Sequence, residues 1–105
     1  MATKVFISQP MRGKTDQEII GERANVRCFL TKMLKEPIEI IDSVIDEKPD
    51  GSIDIDRIPV WYLSKSIELL AKADIAFFCR EWREARGCVI EHEVAERYGI
   101  TIIEE

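Results

Sequence analysis

Apolar and polar positions along the chain follow two rhythms, short unbroken apolar runs and longer stretches with a helical period. Lys4-Val5-Phe6-Ile7 is a short apolar run that ends at Ser8-Gln9-Pro10-Met11-Arg12-Gly13, where proline and glycine interrupt regular structure. It predicts a first strand and a loop. Thr15 with Glu18 three residues on has the form of a capping box, and behind it Ile19, Ala24, Val26, Phe29, Leu30, Met33 and Leu34 recur at helical spacing. A helix from Asp16 to Lys35 follows, stopped by Pro37. Ile38-Glu39-Ile40-Ile41 is β-branched and short, which suits a second strand.

From Asp42 to Pro59 the chain is acidic and carries Pro49, Asp50-Gly51 and Ser52, a loop composition longer than most connections in compact domains. Pro59 fits the first turn of a helix, and Val60, Leu63, Ile67 and Leu70 carry an apolar rhythm through to Ala73. Asp74-Ile75-Ala76-Phe77-Phe78-Cys79 reads as a third strand, apolar on both faces as buried parallel strands are. After the polar stretch Arg80 to Arg86 come Gly87, a helix to Tyr98, Gly99 just past its end, and a last strand Ile100-Thr101-Ile102-Ile103.

The order β-α-β-α-β-α-β predicts a three-layer α/β fold, a flavodoxin-like or Rossmann-like parallel sheet of four or five strands with helices on both faces. Residues 1–105 form one domain. Ligands bind such sheets beyond the carboxyl ends of the strands, where the strand order reverses. The segments Gln9 to Lys14 and Arg80 to Gly87 both follow strand ends. If strands one and three are neighbours, these segments face each other across one crevice.

Composition narrows the partners. The chain has 105 residues, 46% apolar and 33% charged, a balance that supports one core and argues against disorder. A net charge of -5 weighs against a broad grip on a nucleic-acid polymer or an anionic membrane. No apolar run approaches the roughly 20 residues that span a bilayer, and MATKVFISQ lacks the layout of a signal peptide, so a cytoplasmic protein is expected. Cys28, Cys79 and Cys88 contain no pair at metal-knuckle or redox spacing and read as reduced, buried thiols. With His92 the sole histidine, a histidine-rich zinc site is implausible, and no metal or cofactor is expected.

One carboxylate stands out. On a wheel of about 100° per residue, Ile90, Val94, Tyr98, Ala95 and Cys88 span one apolar arc, with His92, Glu93, Glu96 and Arg97 opposite. Glu91 falls inside the apolar arc. An inward carboxylate is costly unless it is hydrogen-bonded, paired or protonated, and here the positive end of the helix dipole is close. Either it bonds its own helix cap or one of Arg80, Arg83 and Arg86, or it serves as a nucleophile or acid/base in the crevice. Glu93 points about 200° away from it and belongs with Glu96 to a solvated face.

Other features divide similarly. Gly13-Lys14-Thr15 evokes a phosphate loop, but that motif needs a glycine where Ser8 stands, and Pro10 removes an amide donor. What survives is a helix start that, with Arg12 or Lys14, holds one phosphate, or else plain surface charge. Trp82 and Trp61-Tyr62 either offer a flat surface to a base or pack structurally. Cys88, near a helix start, is read as a buried thiol rather than a nucleophile.

Gly87-Cys88-Val89-Ile90-Glu91, followed by Ala95, Gly99 and the strand Ile100 to Ile103, resembles the glycine-to-glutamate helix start of the nucleoside 2-deoxyribosyltransferase superfamily. That superfamily includes deoxynucleoside 5'-monophosphate N-glycosidases. Val5-Phe6-Ile7-Ser8-Gln9-Pro10-Met11-Arg12-Gly13 is similar to its first strand and substrate loop, and Ala73-Asp74-Ile75-Ala76 to a strand entry. The chain looks closest to a small branch found in phages and bacteria. The resemblance implies cleavage or transfer at the N-glycosidic bond of a deoxynucleoside or its 5'-monophosphate. Glu91 is then the nucleophile that forms a glycosyl ester, and Ser8, Gln9, Pro10, Met11, Arg12, Gly13, Gly87 and Cys88 bind substrate.

Two departures from that pattern matter. Ser66 stands where active relatives carry an aspartate that assists the sugar or the leaving base, and Ala85 where monophosphate-specific relatives carry a phosphate-binding serine. A hydroxyl is a far weaker acid than a carboxyl group. Ser66 therefore enters the catalytic set as a substitute, and the alternative is a nucleotide-binding or sensing module that has lost turnover. Arg12 is the residue able to replace the missing phosphate ligand. Fuller relatives carry a fifth strand and complete their pockets with a neighbouring subunit, so a homodimer or larger homo-oligomer is expected.

Overall fold

The computed structural model describes residues 2–42, 45 and 47–105. Four strands and three helices alternate along them: β1 (Thr3–Ser8), α1 (Asp16–Leu34), β2 (Ile38–Ile40), α2 (Ile58–Leu70), β3 (Ile75–Phe78), α3 (Arg86–Arg97) and β4 (Thr101–Glu104). All strand pairs are parallel, in the order β2-β1-β3-β4. The expected α/β architecture is present with four strands, and β1 and β3 are neighbours in register from Val5↔Ile75 to Ser8↔Phe78.

Strand alternation divides the core in two. Val5, Ile7, Ile75 and Phe77 face α1, where they meet Val26 and Leu30. Phe6, Ala76 and Phe78 face the opposite side and pack with Leu70 of α2 and Cys88 and Ala95 of α3. By the same alternation Ser8 lies on the α2/α3 side, one step beyond Phe6. The Asp74 carboxylate accepts from the Lys4 amide at 2.8 Å and ties the entry of β3 to the start of β1.

Local signals account for the helix ends. Thr15 and Glu18 form the reciprocal capping box, each backbone amide donating to the other's side chain at 3.1 Å. Gly99, at φ 74°, follows α3, and the Ile100 amide closes back on the Ala95 carbonyl at 2.9 Å, the reversal a left-handed residue permits. α2 ends at Leu70 rather than Ala73, because the last residues tighten into turns from Lys72 to Leu69 and from Ala73 to Leu70. The acidic loop after Asp42 includes a 3-10 turn at Ile55–Arg57, and its residues Ser43, Val44 and Asp46 lie outside the described residues.

Several expected core positions are open to solvent. Phe29 and Met33 sit on the flank of α1 and are half-exposed, Val60 lies on the outer side of α2, and Cys28 is exposed rather than buried. Among the described residues a single helix covers the α1 side of the sheet, so apolar residues on its flanks have no neighbouring helix there to meet. α3 is also rotated from the expected wheel. Its buried line is Cys88, Glu91 and Ala95, which leaves Ile90 44% and Tyr98 80% exposed. His92 stacks on Trp82, with ring centroids 4.0 Å apart and planes 6° from parallel, instead of facing water. No helix among the described residues is long and apolar enough to cross a membrane.

Leu70 is fully buried between the sheet and the α2/α3 layer. Leu70→Ala is expected to cost about 2–5 kcal/mol in urea unfolding, and Thr15→Ala about 1 kcal/mol through loss of the cap.

Candidate functional site

The first strand delivers Ser8 and Gln9 to the carboxyl end of the sheet, and α3 begins beside them. Ser8 is 2% exposed, Gln9 5% and Glu91 7%, and these are the buried polar side chains among the described residues. All three line one cavity of about 270 Å³, with Pro10, Met11, Arg23, Tyr62, Ser66, Ala85, Gly87 and Cys88 also in its wall. Convergence of the buried polar groups on a single concavity is the pattern of a ligand site rather than of a structural core.

Glu91 is held by neither its helix cap nor an arginine. The Ser8 hydroxyl donates to Glu91 Oε1 at 2.7 Å, joining the end of β1 to the second turn of α3. No fully buried side-chain polar atom among the described residues lacks a partner, so Oε2, which makes no such bond, keeps access to the cavity. Burial pushes the Glu91 carboxyl above its ordinary range, and the Ser8 hydrogen bond opposes that rise. Burial likewise pushes the Cys88 thiol up and the Cys79 thiol up to about 12, so neither is a thiolate at neutral pH.

Gln9 is fixed at both ends of its amide. Its Oε1 accepts from Arg23 Nε at 2.6 Å, and its Nε2 donates to Glu22 Oε1 at 2.9 Å. Lys14 Nζ donates to Glu22 Oε2 at 2.8 Å; this bond raises the Lys14 pKa and lowers that of Glu22. Lys14 is therefore engaged with a carboxylate. Arg23 stands in the cavity wall with its pKa lowered by burial. Sequence reasoning missed it, although the signal that marked Glu91 marks Arg23 too, a charged residue beside the apolar line Ile19, Val26 and Leu30.

Beyond the shared residues Pro10, Ala85 and Gly87, a second cleft of about 540 Å³ is lined by Arg12, Lys14, Glu81, Glu84 and Arg86. It is the crevice expected between the segments after β1 and β3. A larger depression of about 630 Å³ opens on the α1 side between Phe29, Phe77 and the carboxylates of Glu22, Glu81, Glu104 and Glu105. It holds none of the buried polar groups. Among the described residues no three histidine, cysteine, aspartate or glutamate side chains gather as metal ligands.

No family model matches the chain, and no curated protein matches it. Among solved structures it is similar to a conserved protein from Enterococcus faecalis V583, with a TM-score of 0.64 and 13% identity. The likeness covers 99% of this chain and 63% of that one. The chain thus spans under two thirds of its neighbour's length, and at this identity the likeness shows the fold alone.

Of the residues singled out by sequence, Ser8, Gln9, Pro10, Met11, Ser66, Gly87, Cys88 and Glu91 share the cavity. Arg12 is exposed in the adjoining cleft, while Gly13, at φ 79°, forms the turn and lines neither space. Trp82 is buried against His92 and Phe78 and offers no face to a ligand in this cavity. Tyr62 does line it.

A carboxyl whose folded pKa lies above its usual 4.5 binds protons that the unfolded chain has released, so stability falls as pH rises through that interval. Glu91→Gln removes the buried charge. The variant is expected to melt above the wild type at about pH 7, with the gap closing toward about pH 4; thermal unfolding across that range checks it.

Proposed function

We propose that the protein cleaves or exchanges the N-glycosidic bond of a deoxynucleoside or its 5'-monophosphate, with Glu91 as nucleophile. One observation carries this reading: a buried glutamate has one carboxylate oxygen pinned by Ser8 and the other open to a cavity at the carboxyl end of the sheet. Desolvation makes such an oxygen a better nucleophile than a solvated one, provided that it is ionised.

The reaction runs in two steps. Glu91 Oε2 attacks C1' as the bond from C1' to the base nitrogen breaks, and the base leaves with the electron pair and takes up a proton. The glycosyl ester then yields to water or to a second base, which restores the carboxylate. Both steps pass through an oxocarbenium-like transition state that a neighbouring carboxylate stabilises. The cavity has room for the sugar, and Arg12 and Arg86 in the adjoining cleft offer positive charge to a phosphate.

Ser66 favours a second reading. It stands in the cavity wall where the resembling enzymes carry an aspartate, and a hydroxyl does not supply a comparable acid. On that reading the site binds a nucleotide without turnover. A cytoplasmic protein that works as a homodimer or larger homo-oligomer on small molecules accords with either reading.

Incubation with ribo- and deoxynucleosides and their monophosphates separates the two. Free base detected by chromatography, lost by about 10³-fold or more in Glu91→Ala, supports the nucleophile. Base release that survives Glu91→Ala overturns it. Ligand-induced thermal shifts without base release indicate the binding module.

A further inference from the structure

The Ser8 hydroxyl has one proton, and that proton goes to Glu91 Oε1 at 2.7 Å. We infer that Ser8 is a positioning residue whose donated hydrogen bond favours the carboxylate form of Glu91 and leaves its second oxygen to the cavity. The inference rests on Glu91 being the reactive group, and the first readout below is independent of any reaction.

Three observations support it. The Ser8 backbone is fixed, because it ends the β1 ladder opposite Phe78 and its carbonyl accepts from the Cys79 amide at 2.9 Å. Preorganisation of this kind gives a hydrogen bond its full effect on the acceptor. Next, among the described residues the titratable groups that line the cavity with Glu91 are Cys88 from its own helix, Arg23 from α1 and Tyr62 from α2. Cys88 lines the same cavity as Ser8, and its thiol is kept protonated by burial. Finally, the bond to Ser8 acts against burial, which pushes the Glu91 carboxyl up.

The test is a pH titration of Glu91 by NMR in protein labelled with carbon-13 at glutamate carboxyls, the Glu91 signal being assigned from its absence in Glu91→Gln. Ser8→Ala is expected to weaken Glu91's acid ionisation constant about tenfold. Ser8→Thr, which restores a hydroxyl, brings it back toward wild type. Ser8→Cys, close to serine in size and a weak donor, lies between and serves if the alanine variant does not fold. In turnover assays the acidic limb of the Ser8→Ala pH profile moves to higher pH, with kcat falling more than KM changes.

A folded Ser8→Ala or Ser8→Cys protein in which Glu91 titrates within about twofold of wild type overturns the inference. If the wild type releases no base, the titration still decides the role of Ser8, and the failure belongs to the proposed reaction.

Discussion

A glutamate on the inner face of a helix has to be satisfied from the sheet, and here a single serine does it. The bond from Ser8 to Glu91 spans 83 positions of sequence and joins the last residue of the first strand to the helix that crosses above it. The site depends on this contact. It leaves one oxygen of Glu91 to the cavity and opposes the rise in pKa that burial imposes. An apolar residue in place of Glu91 would pack against the sheet without a partner, so the polar pair is hard to explain as a packing device alone.

Much of this was legible in the chain itself. Short apolar runs set against stretches of helical period separated strands from helices, and Thr15 with Glu18, Pro37 and Gly99 marked helix ends for stated physical reasons. The inward placement of Glu91 was legible too, since it needs only the wheel. Its partner was not. That pairing depends on the register of β1 against β3 and on the rotation of α3, and neither is a local property. The same rotation explains why Ile90 and Tyr98 are exposed although the wheel set them in the apolar arc.

The other misjudged positions share one cause. Phe29, Met33, Val60 and Cys28 have the spacing or the chemistry of buried residues, but burial requires something to pack against. One helix on one face of a four-stranded sheet leaves its flanks uncovered. Periodicity reports where a helix turns its apolar side, and the number of neighbouring elements decides how much of that side is covered. Gln9 and Arg23 were harder for a different reason. Gln9 lines the cavity as its place in the loop suggests, and its amide bonds to Arg23 and Glu22 depend on how α1 packs beside the loop.

The chemistry proposed for the cavity turns on whether Glu91 forms a bond to the sugar. Mass spectrometry on protein quenched in acid during incubation with a deoxynucleoside 5'-monophosphate fluorinated at C2' tests this directly. Fluorine destabilises the oxocarbenium-like transition states and lets a glycosyl ester accumulate. The account predicts one fluorodeoxyribose phosphate added to the peptide that carries Glu91, and none in Glu91→Gln. Base release from the unmodified substrate with no adduct on Glu91, or an adduct on another residue, would contradict it.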